Sequence, residues 1–521
     1  MVLRPSRRLY ALLAALTSGA FACNALTGAD DLTIRDLDGA TGAGGTTVSS
    51  TGTNMGTGAG SSGTVIVDPT PMVGAAGVNV REISLYQGVK RPLMENGVAS
   101  TSTLPVVFGR DALIRVFYDT DAGYNGDPVT ARLYLDGRST LQVVQPLLQS
   151  SVETNLGSTI NFELTADLVL GATSYRVELL QLPADSPIDN PAAKYPAAGF
   201  DPIPIDESPA VLRIEIVPVT YSADGSDRVP DTSPAQLRRY QDYFYAMYPV
   251  TSVDVVLHEP MPWSGAISPN GGGWGEVLDG LASYRQQEGA PDTTYYYGIF
   301  NPLPDVGQFC GGGCVAGLGF LPSPGDTYGR VAVGLGYPEN NLDIETAVHE
   351  IGHAHGRPHS PCGGAGDPDP AFPYADGGIG TWGYNIVSKQ LYDPTSFTDL
   401  MGYCVPIWIS DYSFRQIHER VQFIDGVRMV FPPESLGLTY DRVHIGIDGH
   451  GTFLEPVTLQ RPPIAQATQV DVQTANGIQA VTAQFYRYDH IEGGLLLWPR
   501  TSNAAITARA HLPDGLVQAV R

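Results

Sequence analysis

Two histidines four residues apart, with a glutamate directly after the first, are the residues of this sequence best suited to do chemistry: His349-Glu350-Ile351-Gly352-His353. At about 100° per residue on a helix, the two imidazoles lie one above the other on one face. Both can then reach a single zinc ion at ~2.0–2.1 Å, while Glu350 lands beside them without being a ligand. Gly356 lets the chain leave the helix through a left-handed turn, and His359 can swing back as a third ligand. Three neutral imidazoles leave Zn2+ its full charge and an open position for water. The pKa of that water falls to about 7, and Glu350 can take its proton as it attacks a polarised carbonyl. A bare His-Glu-x-x-His arises by chance in about one chain in 100 at this composition, and the added Gly356 and His359 make the pattern far rarer. The bland alternative is a polar helix with satisfied surface histidines. His355, on a different side of the helix, reads as a supporting or surface residue.

Positioning these groups requires an amphipathic helix. Ile344, Ala347, Val348 and Ile351 recur at i, i+3, i+4 and i+7, opposite His349 and His353. Asn341 can cap it, and Asp343 and Glu345 suit the positive end of its dipole. Upstream, a strand Val211–Val217 precedes a helix with Ser233 as N-cap, Pro234 at its first position, and Leu237, Tyr240, Phe244 and Met247 on one face. A strand Val253–Leu257, a helix near Glu276–Arg285, and strands Tyr295–Phe300 and Arg330–Leu335 follow. This alternation predicts an α/β core over about 210–430. Between Val78 and Leu182, short alternating runs such as Leu113–Tyr118, Ala131–Leu135 and Tyr175–Leu180 predict an Ig-like β-sandwich. The proline-rich stretch Pro183–Pro209 closes it. Past about 435, runs such as Gln484–Tyr488 predict a small β domain.

The 521 residues exceed one ordinary core. Lys+Arg 30 against Asp+Glu 54 gives a net charge of −24, which would repel nucleic acid and excludes it as a partner. Arg4, Arg7 and Arg8, the apolar run Leu9–Leu16 and the sequence Ala20-Phe21-Ala22-Cys23 form an export signal. A cysteine after small residues resembles a bacterial lipobox, which implies a lipid anchor through Cys23; plain cleavage nearby is the other reading. Residues 24–65, rich in Gly, Ser, Thr and Ala, bury too little to offset ordering entropy and read as a tether. Cys310, Cys314, Cys362 and Cys404 are an even number in an exported chain, and the simplest pairing is Cys310–Cys314 with Cys362–Cys404. A four-thiolate zinc site lacks its usual paired spacing. The acidic loop Asp367-Pro368-Asp369-Pro370 reads as solvated rather than calcium-binding. His258-Glu259 and His418-Glu419 lack a second histidine at the required offset.

The run His349 to His359 resembles the signature of the metzincin zinc peptidases, His-Glu-x-x-His-x-x-Gly-x-x-His. Asp399-Leu400-Met401-Gly402-Tyr403-Cys404 looks like their methionine turn, with Met401 as its methionine. The resemblance implies a catalytic domain split by a cleft, with Arg330–Leu335 as an edge strand that pairs with an extended substrate. It also implies that Tyr403, two places after the methionine, binds zinc or stabilises the oxyanion, as in astacin-like and serralysin-like members; core packing is its other reading. No cysteine switch is present upstream. The expected organisation is an export signal of lipoprotein type over 1–23, a linker over 24–75, an Ig-like β-sandwich over 76–205, an α/β metzincin-like catalytic domain over 206–430 and a small C-terminal β domain over 431–521. The expected activity is zinc endopeptidase action on a protein or peptide substrate, outside the cell or at its surface, as in an outer-membrane lipoprotein. No oligomeric state follows from the sequence. The alternatives are a non-catalytic adhesin or carbohydrate-binding protein on a peptidase-derived fold, against which an intact Glu350 argues, and a zinc enzyme acting on another substrate class.

Overall fold

Alternating apolar residues need a second layer to cover them, and near the N-terminus a pair of sheets cover each other. The computed structural model describes residues 71–171, 173–183, 189–426, 429–501, 504–512 and 515–521. The expected export signal, Cys23 and nearly all of the expected linker lie outside the described residues. One sheet pairs Val73–Gly74, Ser174–Gln181, Val129–Leu135 and Ser139–Gln145 in that order. The other contains Gly88–Glu95, Val78–Tyr86, Ala112–Thr120 and Ile160–Leu164. Ile83, Ile114 and Val116 from one layer and Ala131, Leu133 and Val177 from the other form a shared core with no exposure. The second sheet also accepts a hairpin from far downstream: Gly383–Asn385 pairs with Gly88 and Val89, and with Gln390–Tyr392.

Among the described residues, five helices and a mixed sheet build the middle of the chain. The helices are α1 Pro234–Met247, α2 Trp274–Gln287, α3 Val306–Cys310, α4 Leu342–Ala354 and α5 Asp411–Gly426. The sheet runs Ser252–Leu257, Val211–Tyr221, Thr294–Phe300, Val331–Leu335 and Gly317–Gly319. Its first four strands are mutually parallel and the last is antiparallel. Val331–Leu335 is therefore not the edge strand that the resemblance implied. Gly317–Gly319 covers it, and that strand carries too little β-branched or aromatic character to be read from its pattern. Ser233 caps α1 through Gln236 N at 3.3 Å. Asn341 does not cap α4. It sits in the left-handed region at φ 60, and its side chain accepts from Arg239 instead, at 3.1 Å. The stripe Ile344, Ala347, Val348 and Ile351 is buried against α1, the sheet and α5.

Seven strands, from Leu438–Ile445 to Gly515–Val520, close into a barrel. Its strand Gly494–Pro499 is buried on both faces, which is why Leu495-Leu496-Leu497-Trp498 is apolar without alternation. Leu496 and Trp498 fill the barrel, whereas Leu495 and Leu497 join Trp274, Val277, Leu278 and Leu281 in a second core that spans barrel and mixed sheet. The approach is close: a Cβ on Gly275 of α2 would meet His444 and Tyr488 of the barrel, each at 2.7 Å. Within this contact, His444 Nδ1 lies 2.9 Å from Asp279, which also accepts from Tyr488 at 2.9 Å. Burial pushes the His444 imidazole down, but hydrogen bonds to Asp279 and Glu276 outweigh it and lift the pKa to about 10.

This pair makes the docking pH-dependent. A folded pKa above the ordinary ~6.5 means stabilisation that is complete below that value and is lost as pH rises towards 10. Thermal unfolding between about pH 6.5 and pH 10 should therefore show a falling Tm in the wild type and a flatter profile in Asp279→Asn. Parallel profiles would count against a charged His444.

Candidate active site

Each of the three signature histidines is fixed by a backbone carbonyl on the far side of its ring. His349 Nδ1 donates to Leu400 O at 2.7 Å, His353 Nδ1 to Arg357 O at 2.6 Å and His359 Nδ1 to Gly366 O at 2.7 Å. With the ring protons assigned to Nδ1 by these partners, every Nε2 carries a bare lone pair. The Nε2 atoms of His349 and His359 lie 3.0 and 3.1 Å from that of His353. Three lone pairs at that separation repel one another unless a cation stands among them. Ligands at about 2.0–2.1 Å around a tetrahedral ion would be about 3.3 Å apart, so the donor set fits a metal. Burial holds the rings neutral: it pushes His349 and His353 well below the usual value and His359 down to about 3.

The segment that orients His349 also carries Met401. Asp399, with no exposure, accepts from Met401 N at 2.9 Å and Ser410 N at 3.0 Å, and so shapes the turn that presents Leu400 O. Met401 packs under α4, where a Cβ on Gly352 would stand 2.5 Å from its sulfur. Gly356 takes φ 77 at the exit of α4, a conformation that favours glycine, and turns the chain towards His359. Tyr403 Oη lies 3.1 Å from His359 Nε2, so the tyrosine reaches the cluster. Disulfides join Cys362 to Cys404 and Cys310 to Cys314. The first clamps the loop after His359 to the turn after Met401.

Glu350 is 1% exposed, and burial pushes its carboxyl well above the usual range. The strand Gly317–Gly319 runs directly over it: a Cβ on Gly317 would stand 2.3 Å from Glu350 Oε1. Two further residues of this site come from the barrel, about 140 positions beyond Glu350, and lie outside any motif. His490 Nε2 donates to Glu350 Oε1 at 2.9 Å, and its Nδ1 is in short contact with Tyr403 Oη. Asp489 Oδ2 lies 3.3 Å from His353 Nε2. Both side chains are almost wholly enclosed. Their only sequence signal is an Asp-His pair between a strand and the glycines Gly493-Gly494.

The remaining candidates serve structure. His355 is buried, not on the surface: it stacks on Tyr295 with ring centroids 4.4 Å apart and bonds Ile351 O. In the acidic loop, Asp369 accepts from Arg357 at 2.8 Å and from Tyr412 at 2.9 Å, while Asp367 pairs with Arg487. His258 pairs with Glu288 and His418 with Asp206.

Residues 324–404 match the family model of Peptidase M66. The matched stretch holds all three histidines, Glu350, Met401 and Tyr403, and supports a metallopeptidase. No curated protein matches the chain. One solved structure, titled "Structure of a chaperone-substrate complex", aligns at 10% identity over 51% of this chain and 39% of its own, with a TM-score of 0.24.

The Cys362–Cys404 clamp has a measurable consequence. It closes a loop of sequence separation 42. In the chain-entropy picture such a closure stabilises by roughly 3–4 kcal/mol. Mild reduction should speed loss of metal to a chelator before far-ultraviolet circular dichroism registers unfolding of the β domains. Metal loss that only accompanies global unfolding would count against a clamp on His359.

Proposed function

We propose that the chain is a zinc-dependent endopeptidase, exported and either released or held at the cell surface through Cys23. The observation that carries this reading is the convergence of three Nε2 lone pairs beside a buried carboxylate, within a segment matching a metallopeptidase family. His349, His353 and His359 would hold the ion, which, when bound, supplies Lewis acidity towards a peptide carbonyl and acidifies a bound water. Glu350 would accept the proton of the attacking water and pass it to the leaving amine. Tyr403 Oη, within reach of His359, would donate to the carbonyl oxygen as negative charge develops there. Leu400 O, Arg357 O and Gly366 O hold the rings in the tautomer the ion requires.

Two variants test this directly. Glu350→Gln should keep metal and fold but lower turnover on casein by at least ~10²-fold, the scale of lost general-base assistance. Cleavage at the wild-type rate would refute the role of Glu350. His349→Ala/His353→Ala should hold no stoichiometric zinc by elemental analysis; a full complement would refute the metal assignment.

A further inference from the structure

The barrel does more than pack beside the site, because one of its turns lies inside it. We propose that the turn carrying Asp489 and His490, hinged at Tyr488, is an intramolecular plug that occupies the place of an extended substrate and keeps the site latent. The inference rests on the peptidase reading above and adds to it how the site is regulated.

Three separate observations carry it. First, the hinge and the plug both bind the sheet edge. Phe320, the residue after Gly317–Gly319, forms an antiparallel bridge with Tyr488, and Gly319 N donates to the Asp489 carboxylate at 3.1 Å. These are the edge groups that an extended peptide would use. Second, His490 stands between the two residues assigned to chemistry, bonded to Glu350 on one side and Tyr403 on the other. A carbonyl being attacked must occupy that same space, near the base and near the hydroxyl. Third, the assembled site is shut: His353 has no exposure, Glu350 1%, His359 3% and His349 7%. No protein substrate can reach Glu350 while the plug is seated.

The plug is tethered in a way that allows local release. Tyr488 is anchored through Asp279 and the aromatic ring of Phe320. Beyond His490 the turn ends at Gly493 and Gly494, with φ 101 and 156. The large apolar contact of the barrel with α2 therefore need not break. Only the turn from Asp489 to Gly493 has to swing out, and a substrate that competes for the Gly319 edge would favour the swung-out form.

The test compares zinc-loaded full-length protein with Asp489→Ala/His490→Ala and with the volume-conserving Asp489→Asn/His490→Asn. The readouts are melting temperature, zinc content, the Kd of a peptidyl hydroxamate and casein cleavage. If the plugged form holds about nine-tenths or more of the population, the variants should bind the hydroxamate about tenfold more tightly or better. They should also cleave casein faster, with zinc content unchanged. Hydrogen exchange of the Gly317–Phe320 amides should rise in the free variants and fall when the hydroxamate binds. Equal or weaker hydroxamate binding in both folded variants overturns the plug, and weaker binding with slower cleavage would make His490 part of the catalytic machinery instead. Tighter hydroxamate binding without any cleavage of casein upholds the plug and refutes the peptidase reading.

Discussion

Three imidazole lone pairs directed at one point, with no proton among them, are the constraint around which the middle of this molecule is organised. Each ring is held by a carbonyl from a different piece of irregular backbone: the turn at Met401, the exit of α4 and the loop after His359. Such carbonyls stay in place only if the loops that carry them are themselves tied down. Asp399 ties the turn, the Cys362–Cys404 bridge joins turn to loop, and Asp369 braces Arg357 where the chain leaves α4. Neutral, buried imidazoles are costly unless something uses their lone pairs, so this bracing makes sense as preparation for a cation.

Much of this is legible in the sequence because it is local. The spacing of His349, Glu350 and His353 places them on one helix, and the stripe from Ile344 to Ile351 tells which side of that helix is core. Gly356 marks the turn that the structure shows. Met401 and Tyr403 stand out through a resemblance, not through any physical rule; the structure sets Met401 against Gly352 of α4 and Tyr403 beside His359. Asn341 has the residue type of a cap yet caps nothing, because Arg239, over a hundred residues upstream, competes for its side chain.

What stays hidden depends on contacts between distant segments. Gly317–Gly319 has almost no side chains, and its glycines clear Glu350, so its composition reports a steric limit in place of strand propensity. Asp489 and His490 sit in a short turn whose chemistry emerges only once the barrel docks. The apolar run from Leu495 to Trp498 does hold a clue, since a strand covered on both faces must have a neighbour outside its own barrel.

The Gly383–Tyr392 hairpin also bears on the order in which the chain folds. It follows the loop that bears Gly366 and adds itself to the N-terminal sheet beside Gly88. Trp408 Nε1 donates to Gly88 O nearby, and the wholly buried Arg110 donates to Val250 O. An N-terminal sheet synthesised first would thus wait with an open edge until about three hundred further residues have emerged. Unpaired edges recruit whatever strand arrives. The N-terminal unit therefore supplies the edge on which this hairpin pairs, and a chain cut free of it would carry the hairpin as a bare, adhesive flap.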